Sequence, residues 1–191
     1  RARRREKSRA AIVAALFDLV GSGVLLPTAQ QVAARAGVGI RSVFRHFDDM
    51  ESLYAELDAR LREEALPLLR EAPPSGPLRE RAGALVEQRV RLFERIAPYK
   101  RAGNLQRWRS DFLKRQHAAL VRELRGALRE ALPELEEAPA AIGEALDLVT
   151  SFEAWDRLRT DQRLSRERAQ DAVERAVLGL VESLRNTRTR R

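Results

Sequence analysis

Arg41 and Arg45 stand four residues apart in the stretch TAQQVAARAGVGIRSVFRHF, residues 28–47, with His46 directly after the second. Side chains four apart share one face of a helix. A guanidinium on such a face can donate two hydrogen bonds to a guanine edge or hold a phosphate. Ile40 and Phe44 flank the arginines, and apolar groups beside them suit base-methyl and sugar contacts better than bare solvent. The chemistry this spacing offers is recognition of a nucleic acid, with no bond made or broken. The same spacing also fits a packed helical hairpin with surface arginines.

Charge favours the first reading. The 191 residues carry a formal net charge of +8. Residues 1–47 hold nine Lys/Arg and two Asp/Glu, a net +7, and the rest of the chain is close to neutral. A basic end on a near-neutral body points to a polyanion partner at that end. The opening RARRREK, residues 1–7, is a basic arm that can hold phosphates, enter a minor groove, or simply be a solvated tail.

Catalytic constellations are missing. The two histidines, His46 and His117, lie far apart, and there is no HExxH, phosphate loop or GxSxG. AGVG at 36–39 is too short and wrongly placed for a dinucleotide fingerprint. With no cysteine, disulfides and cysteine–zinc sites are excluded. The expectation is a protein that is not an enzyme and uses no cofactor or metal. The chain opens on Arg1 and not on Met, so residues preceding it are expected. Its start lacks the apolar stretch of a signal peptide, and no apolar run approaches the ~18 to 20 residues of a membrane span. These points fit the cytoplasm.

The elements that must position the arginines follow from periodicity and punctuation. Ala, Leu, Arg and Glu dominate, which are good helix formers, so we expect an all-α protein. SRAAIVAALFDLV carries Ile12, Leu16, Leu19 and Val20 at helical spacing, and Gly21 and Gly23 end it. Thr28 with Gln31 fits a capping box at the start of a short helix that stops at Gly37. A second short helix covers about Gly39 to His46, and Asp48 is the expected cap of the next. Two short helices joined by a tight glycine turn are the helix-turn-helix layout. Val32, Ala33 and Ala36 face inward, with Val38, Val43 and Phe47 packing beneath the second helix. That leaves Ile40, Arg41, Ser42, Phe44, Arg45 and His46 on or near its outer surface.

EAPPSGP at 71–77 is a clear break, and with Pro67 before it the expected division is an N-terminal unit at 1–66, the candidate DNA-binding domain, and a larger helical domain at 67–191. In the larger domain helices are expected over 78–97 until Pro98 interrupts, over 110–132, over about 139–159, and from Ser165 to about Asn186.

AAIVAALFDLVGSGVLLPTAQQVAARAGVGIRSVFRHFDDMESLYAEL resembles the N-terminal domain of TetR-family transcriptional regulators, over about residues 8–57 without a gap. QVAARAGVGIRSVFRHF followed by an acidic cap and Leu53 is its most specific part. The resemblance implies a bacterial homodimer that binds a palindromic operator on double-stranded DNA, usually as a repressor. It implies a C-terminal domain that binds a small molecule and dimerises through its last two long helices. Ile40, Arg41, Ser42, Phe44, Arg45 and His46 would face DNA, Thr28 would cap near a phosphate, and Gln30 would reach the backbone or a base. Four positions depart from the family's habit: Phe44 stands where Tyr is frequent, Met50 where Lys is, Gly39 where a Ser cap is, and Arg41 where a small residue is usual. The last suggests an altered base preference.

In the larger domain Phe93, Trp108, Phe112, Phe152 and Trp155 are candidates to line a ligand pocket, since pockets between bundled helices are common ligand sites. Helically spaced aromatics also serve as plain core. Trp108 and Trp155 rank first, because a buried indole needs a hydrogen-bond partner and marks a mixed site. Ile142, Leu146, Val149, Val173, Val177, Leu180 and Leu184 form an apolar surface fit for a four-helix dimer interface, or for packing within one chain. The competing account is a helical interaction protein whose basic end binds an acidic protein or a membrane surface. A strongly amphipathic basic helix would favour it, and the mostly apolar, Ala-rich helix after the arm argues against it. Arginine supplies 33 of the 36 basic residues, which hints at a GC-rich bacterial genome.

Overall fold

The computed structural model describes residues 2–188. It is 82% helical without strands among those residues, as the composition led us to expect. The helices are α1 (Ala2–Gly21), α2 (Ala29–Ala36), α3 (Ile40–His46), α4 (Met50–Leu69), α5 (Leu78–Gln106), α6 (Asp111–Ala131), α7 (Ala140–Val149), α8 (Phe152–Asp156) and α9 (Arg166–Arg188). Short 3-10 turns cover Arg107–Arg109 and Pro133–Glu136, and a π-helical turn covers Arg157–Asp161.

The chain divides into two compact units. One comprises the residues up to Ala65 together with Ile96–His117; the other comprises Leu66–Arg95 and the residues from Ala118 on. The break at 71–77 is where the helices part. Yet the last part of α5 and the first turns of α6 belong with the N-terminal helices. Tyr99 explains part of this, since its ring stacks on Phe17 of α1 at 4.3 Å. Ala102, one turn on, is fully buried in the same core.

That core is built on α1. Ile12, Leu16 and Val20 recur every four residues and are fully buried, and Val32, Val43 and Leu53 of α2, α3 and α4 close on them. In the second unit α7 packs on α9. Phe93 and Phe152 meet edge to face there at 5.7 Å, the preferred arrangement for two rings.

Local differences from the expected elements have local causes. α1 starts at Ala2, so residues 2–7 of the arm are its first turns and not a separate segment; Arg, Glu and Lys propagate a helix well. α5 runs through Pro98 to Gln106 without interruption, and α4 includes Pro67. The single helix expected over 139–159 is three pieces. Ser151 takes the Ala154 N–H on its hydroxyl and starts α8 afresh, which breaks the run at Thr150.

Candidate nucleic-acid interface

The turn between α2 and α3 is fixed at both ends by the backbone. Thr28 and Gln31 close a capping box: the Gln31 N–H reaches Thr28 Oγ1 at 3.2 Å, and the Thr28 N–H reaches Gln31 Oε1 at 2.8 Å. Gly37 ends α2 at φ 65°, ψ 32°, a left-handed conformation that favours glycine. The Val38 N–H then returns to the Ala33 carbonyl at 3.0 Å, closing the helix end in the Schellman manner. Gly39 starts α3 at φ −72° without a side-chain cap.

α3 is anchored from beneath. Val43 and Phe47 are 1% and 3% exposed, whereas Ile40 and Phe44 are 45% and 52% exposed. Arg41 and Arg45 are exposed too, and Ser42 and His46 are half-buried. All six expected residues thus share one short helix, with its two largest apolar side chains in solvent. Burial of Val43 and Phe47 fixes which face that is. Thr28 and Gln30 are exposed at the start of α2, where Thr28 is committed to the cap.

Positive charge gathers around α3 from a second helix. The His46 imidazole is held below its usual value by burial first, then by the cations of Arg45, Arg5 and Arg9. Arg5 and Arg9 are one turn apart on α1. Arg9 lies 5.3 Å over the Phe47 ring and pairs with Glu56 at 2.5 Å. Arg5 belongs to the basic arm that the sequence already offered for phosphates, whereas Arg9 lies beyond that arm and sequence reading missed it. The signal was present in their i, i+4 spacing, readable once the arm is taken as helix. The cap of α4 is Asp49 and not Asp48: Asp49 Oδ1 accepts the Ser52 N–H at 2.7 Å and the Ser52 hydroxyl at 2.6 Å. These bonds hold its carboxyl below the usual range.

The five candidate pocket residues fall in different units. Phe93, Phe152 and Trp155 are buried in the second. Trp155 Nε1 donates to Glu94 Oε1 at 3.1 Å, and Arg159 Nε donates to the same oxygen at 3.0 Å. Phe112 and Trp108 lie in the first. Trp108 is 66% exposed, with the Arg109 guanidinium 4.4 Å from its ring centre, so the expected burial of this indole is not met. It sits on a 3-10 turn, where no helical face carries it inward. Of the dimer candidates, Leu146, Val173 and Val177 are buried within the chain, Ile142, Val149 and Leu180 are half-buried, and the Leu184 side chain lies outside the described residues. Leu148, between them on α7, is 67% exposed. No helix among the described residues is long and apolar enough to cross a membrane.

Residues 26–57 match the bacterial regulatory proteins of the tetR family. No curated protein matches the sequence. The crystal structure of a transcriptional regulator from Rhodococcus sp. Rha1 is similar, with 22% identity and a TM-score of 0.71 over 92% of this chain and 96% of that one. A tetR-family transcriptional regulator from Streptomyces coelicolor gives 19% identity and a TM-score of 0.73 over 94% and 82%. These likenesses establish a common fold.

Proposed function

We propose that this chain, a TetR-family transcriptional regulator by its module at 26–57 and by its fold, binds a palindromic operator as a homodimer and represses the adjacent promoter until a small molecule releases it. It is a DNA-binding regulator and not an enzyme, and its working place is the bacterial cytoplasm.

The observation that carries the reading is the outer face of α3. Ile40, Arg41, Phe44 and Arg45 project from a helix whose inner residues, Val43 and Phe47, are locked in the core. A short anchored helix with projecting arginines fits a major groove. Arg41 reads a base edge, and Arg45, Thr28 and Gln30 hold the backbone with Arg5 and Arg9 beside them. Ser42 and His46 complete the contact surface. Against the competing membrane reading of the basic end stands the burial of Ile12, Leu16 and Val20 of α1 in the core.

Two recognition helices must sit ~34 Å apart to read a palindrome, which requires a dimer. α7 and α9 supply the interface, with Leu148, Ile142 and Leu180 toward the partner. The effector lies against Phe93, Phe152 and Trp155. It shifts a population between two dimer geometries that differ in recognition-helix separation.

Light scattering on the complex with a selected palindromic fragment tests this. Two protomers per site is the expected mass. One protomer per palindrome, or a ladder of masses growing with DNA length, would overturn the dimeric operator reading.

A further inference from the structure

Among the described residues, Arg89 is the only charged side chain that is buried; it is 3% exposed. It lies on α5 in the second unit. Its Nη2 donates to the backbone carbonyl of Leu124 on α6 at 2.5 Å. Its Nε–H is buried without an acceptor. Burial pushes the guanidinium down to about 10, and Asp147 of α7 is the acid that opposes the shift. Asp147, however, is turned to Arg125 at 3.8 Å.

A buried cation costs free energy unless a counter-charge and hydrogen bonds replace its water. One neutral carbonyl is a poor replacement. The surroundings are apolar. Phe93 stands one turn along α5 from Arg89 and meets Phe152 edge-on, and Leu124 and Leu128 of α6 are buried. Arg89 is thus a buried charged donor whose Nε–H lacks an acceptor, one helical turn from the Phe93–Phe152 pair.

We propose that Arg89 anchors the effector, and that the effector is a monocarboxylate on an apolar body. Its carboxylate oxygens take the Arg89 fork, and its apolar part lies against Phe93 and Phe152. The inference rests on the effector reading above and adds the ligand's class. A planar carboxylate matches the guanidinium fork with two parallel bonds.

The test uses the full chain carrying Trp108→Phe, which leaves Trp155 as the sole tryptophan and a buried reporter. Straight-chain and aryl acids, octanoate and phenylacetate among them, are compared with octanamide and phenylacetamide by thermal shift and Trp155 emission. The acids are expected to raise Tm saturably and alter the emission, with each amide at least about tenfold weaker. Arg89→Met and Arg89→Gln should lose the preference for acids. Arg89→Met without ligand should melt at or above the parent, because it removes a buried charge whose desolvation is costly. Equal binding of acid and amide, undiminished acid binding by Arg89→Met, or no response to any acid up to about 1 mM would overturn the inference. If the variants do not fold, the acid–amide comparison in the parent still decides. Acids that bind but never release operator DNA would leave the anion site standing and remove the effector reading. Release by a neutral compound alone would do the reverse.

Discussion

Arg45 Nη2 donates to Ser42 Oγ at 3.0 Å, back across one turn of α3. The two arginines of α3 are therefore not equivalent. Arg45 is tethered along its own helix, and on the proposed reading would meet the sugar–phosphate backbone; Arg41 stands at the N-terminal end, the part of a recognition helix that would meet base edges.

The difference predicts two mutational signatures. Arg41→Ala should cost ~1 to 3 kcal/mol on the selected operator and relax the preference at one base position. Arg45→Ala should weaken all sequences alike and lower the salt slope by about 1. Anisotropy titrations at several salt concentrations, on the operator and single-base variants, read both. Uniform loss for Arg41→Ala would assign it to phosphate.

The two glycines of the turn should respond oppositely. Gly37 needs its left-handed backbone although nothing lies within 4 Å of an added Cβ. Gly37→Ala should therefore destabilise by about 1 to 2 kcal/mol through backbone strain alone. Gly39 has an ordinary φ of −72° and no side-chain cap, so Gly39→Ser should gain a few tenths of a kcal/mol. Urea melts of the two variants decide this; equal losses would remove the assigned turn geometry.

On the proposed reading, His46 should make DNA affinity depend on pH. In the free protein its pKa lies below 6.5, lowered by burial and by Arg45, Arg5 and Arg9. Phosphates at the proposed interface would neutralise those cations and favour imidazolium, so the bound pKa should be higher and binding should take up a proton. Affinity should rise as pH falls from about 7.5 to about 6, and His46→Gln should flatten the profile. The free fold follows the opposite sign. A base whose folded pKa lies below its unfolded one loses stability as pH falls through 6.5 toward the folded value. A flat wild-type binding profile would contradict the placement of His46 at the phosphates.

Leu148 tests the dimer face. An isolated exposed leucine of 67% exposure beside half-buried Ile142 and Val149 is poorly explained by packing within the chain. Leu148→Asp should yield monomers in sedimentation at micromolar concentration and cut affinity for the palindrome far more than for a half-site. A stable dimer in this variant would move the interface elsewhere.

Much of the interface is legible in sequence. Thr28 with Gln31, Gly37, and the inward set Val32, Val43 and Phe47 are local signals, fixed by capping, left-handed backbone and a 3.6-residue period, and each holds in the structure. What the sequence hides is long-range. Nothing local says that Tyr99 will stack on Phe17, or that Arg89, which reads as a surface residue of an amphipathic helix, will be enclosed. Pro98 misleads because a proline is tolerated within a helix when packing on both sides holds it, and its neighbours Ile96, Ala97 and Ala102 are buried. Trp108 misleads because aromatic type suggests burial, whereas its 3-10 turn leaves it outside.

The central claim is sequence-specific reading by α3. Selection from a pool of random double-stranded DNA at about 150 mM salt, where weak electrostatic binding fades, tests it most directly. The account predicts enrichment of a palindrome with half-sites about one helical turn apart, or a multiple of it. Salt-sensitive binding without any enriched sequence would contradict it.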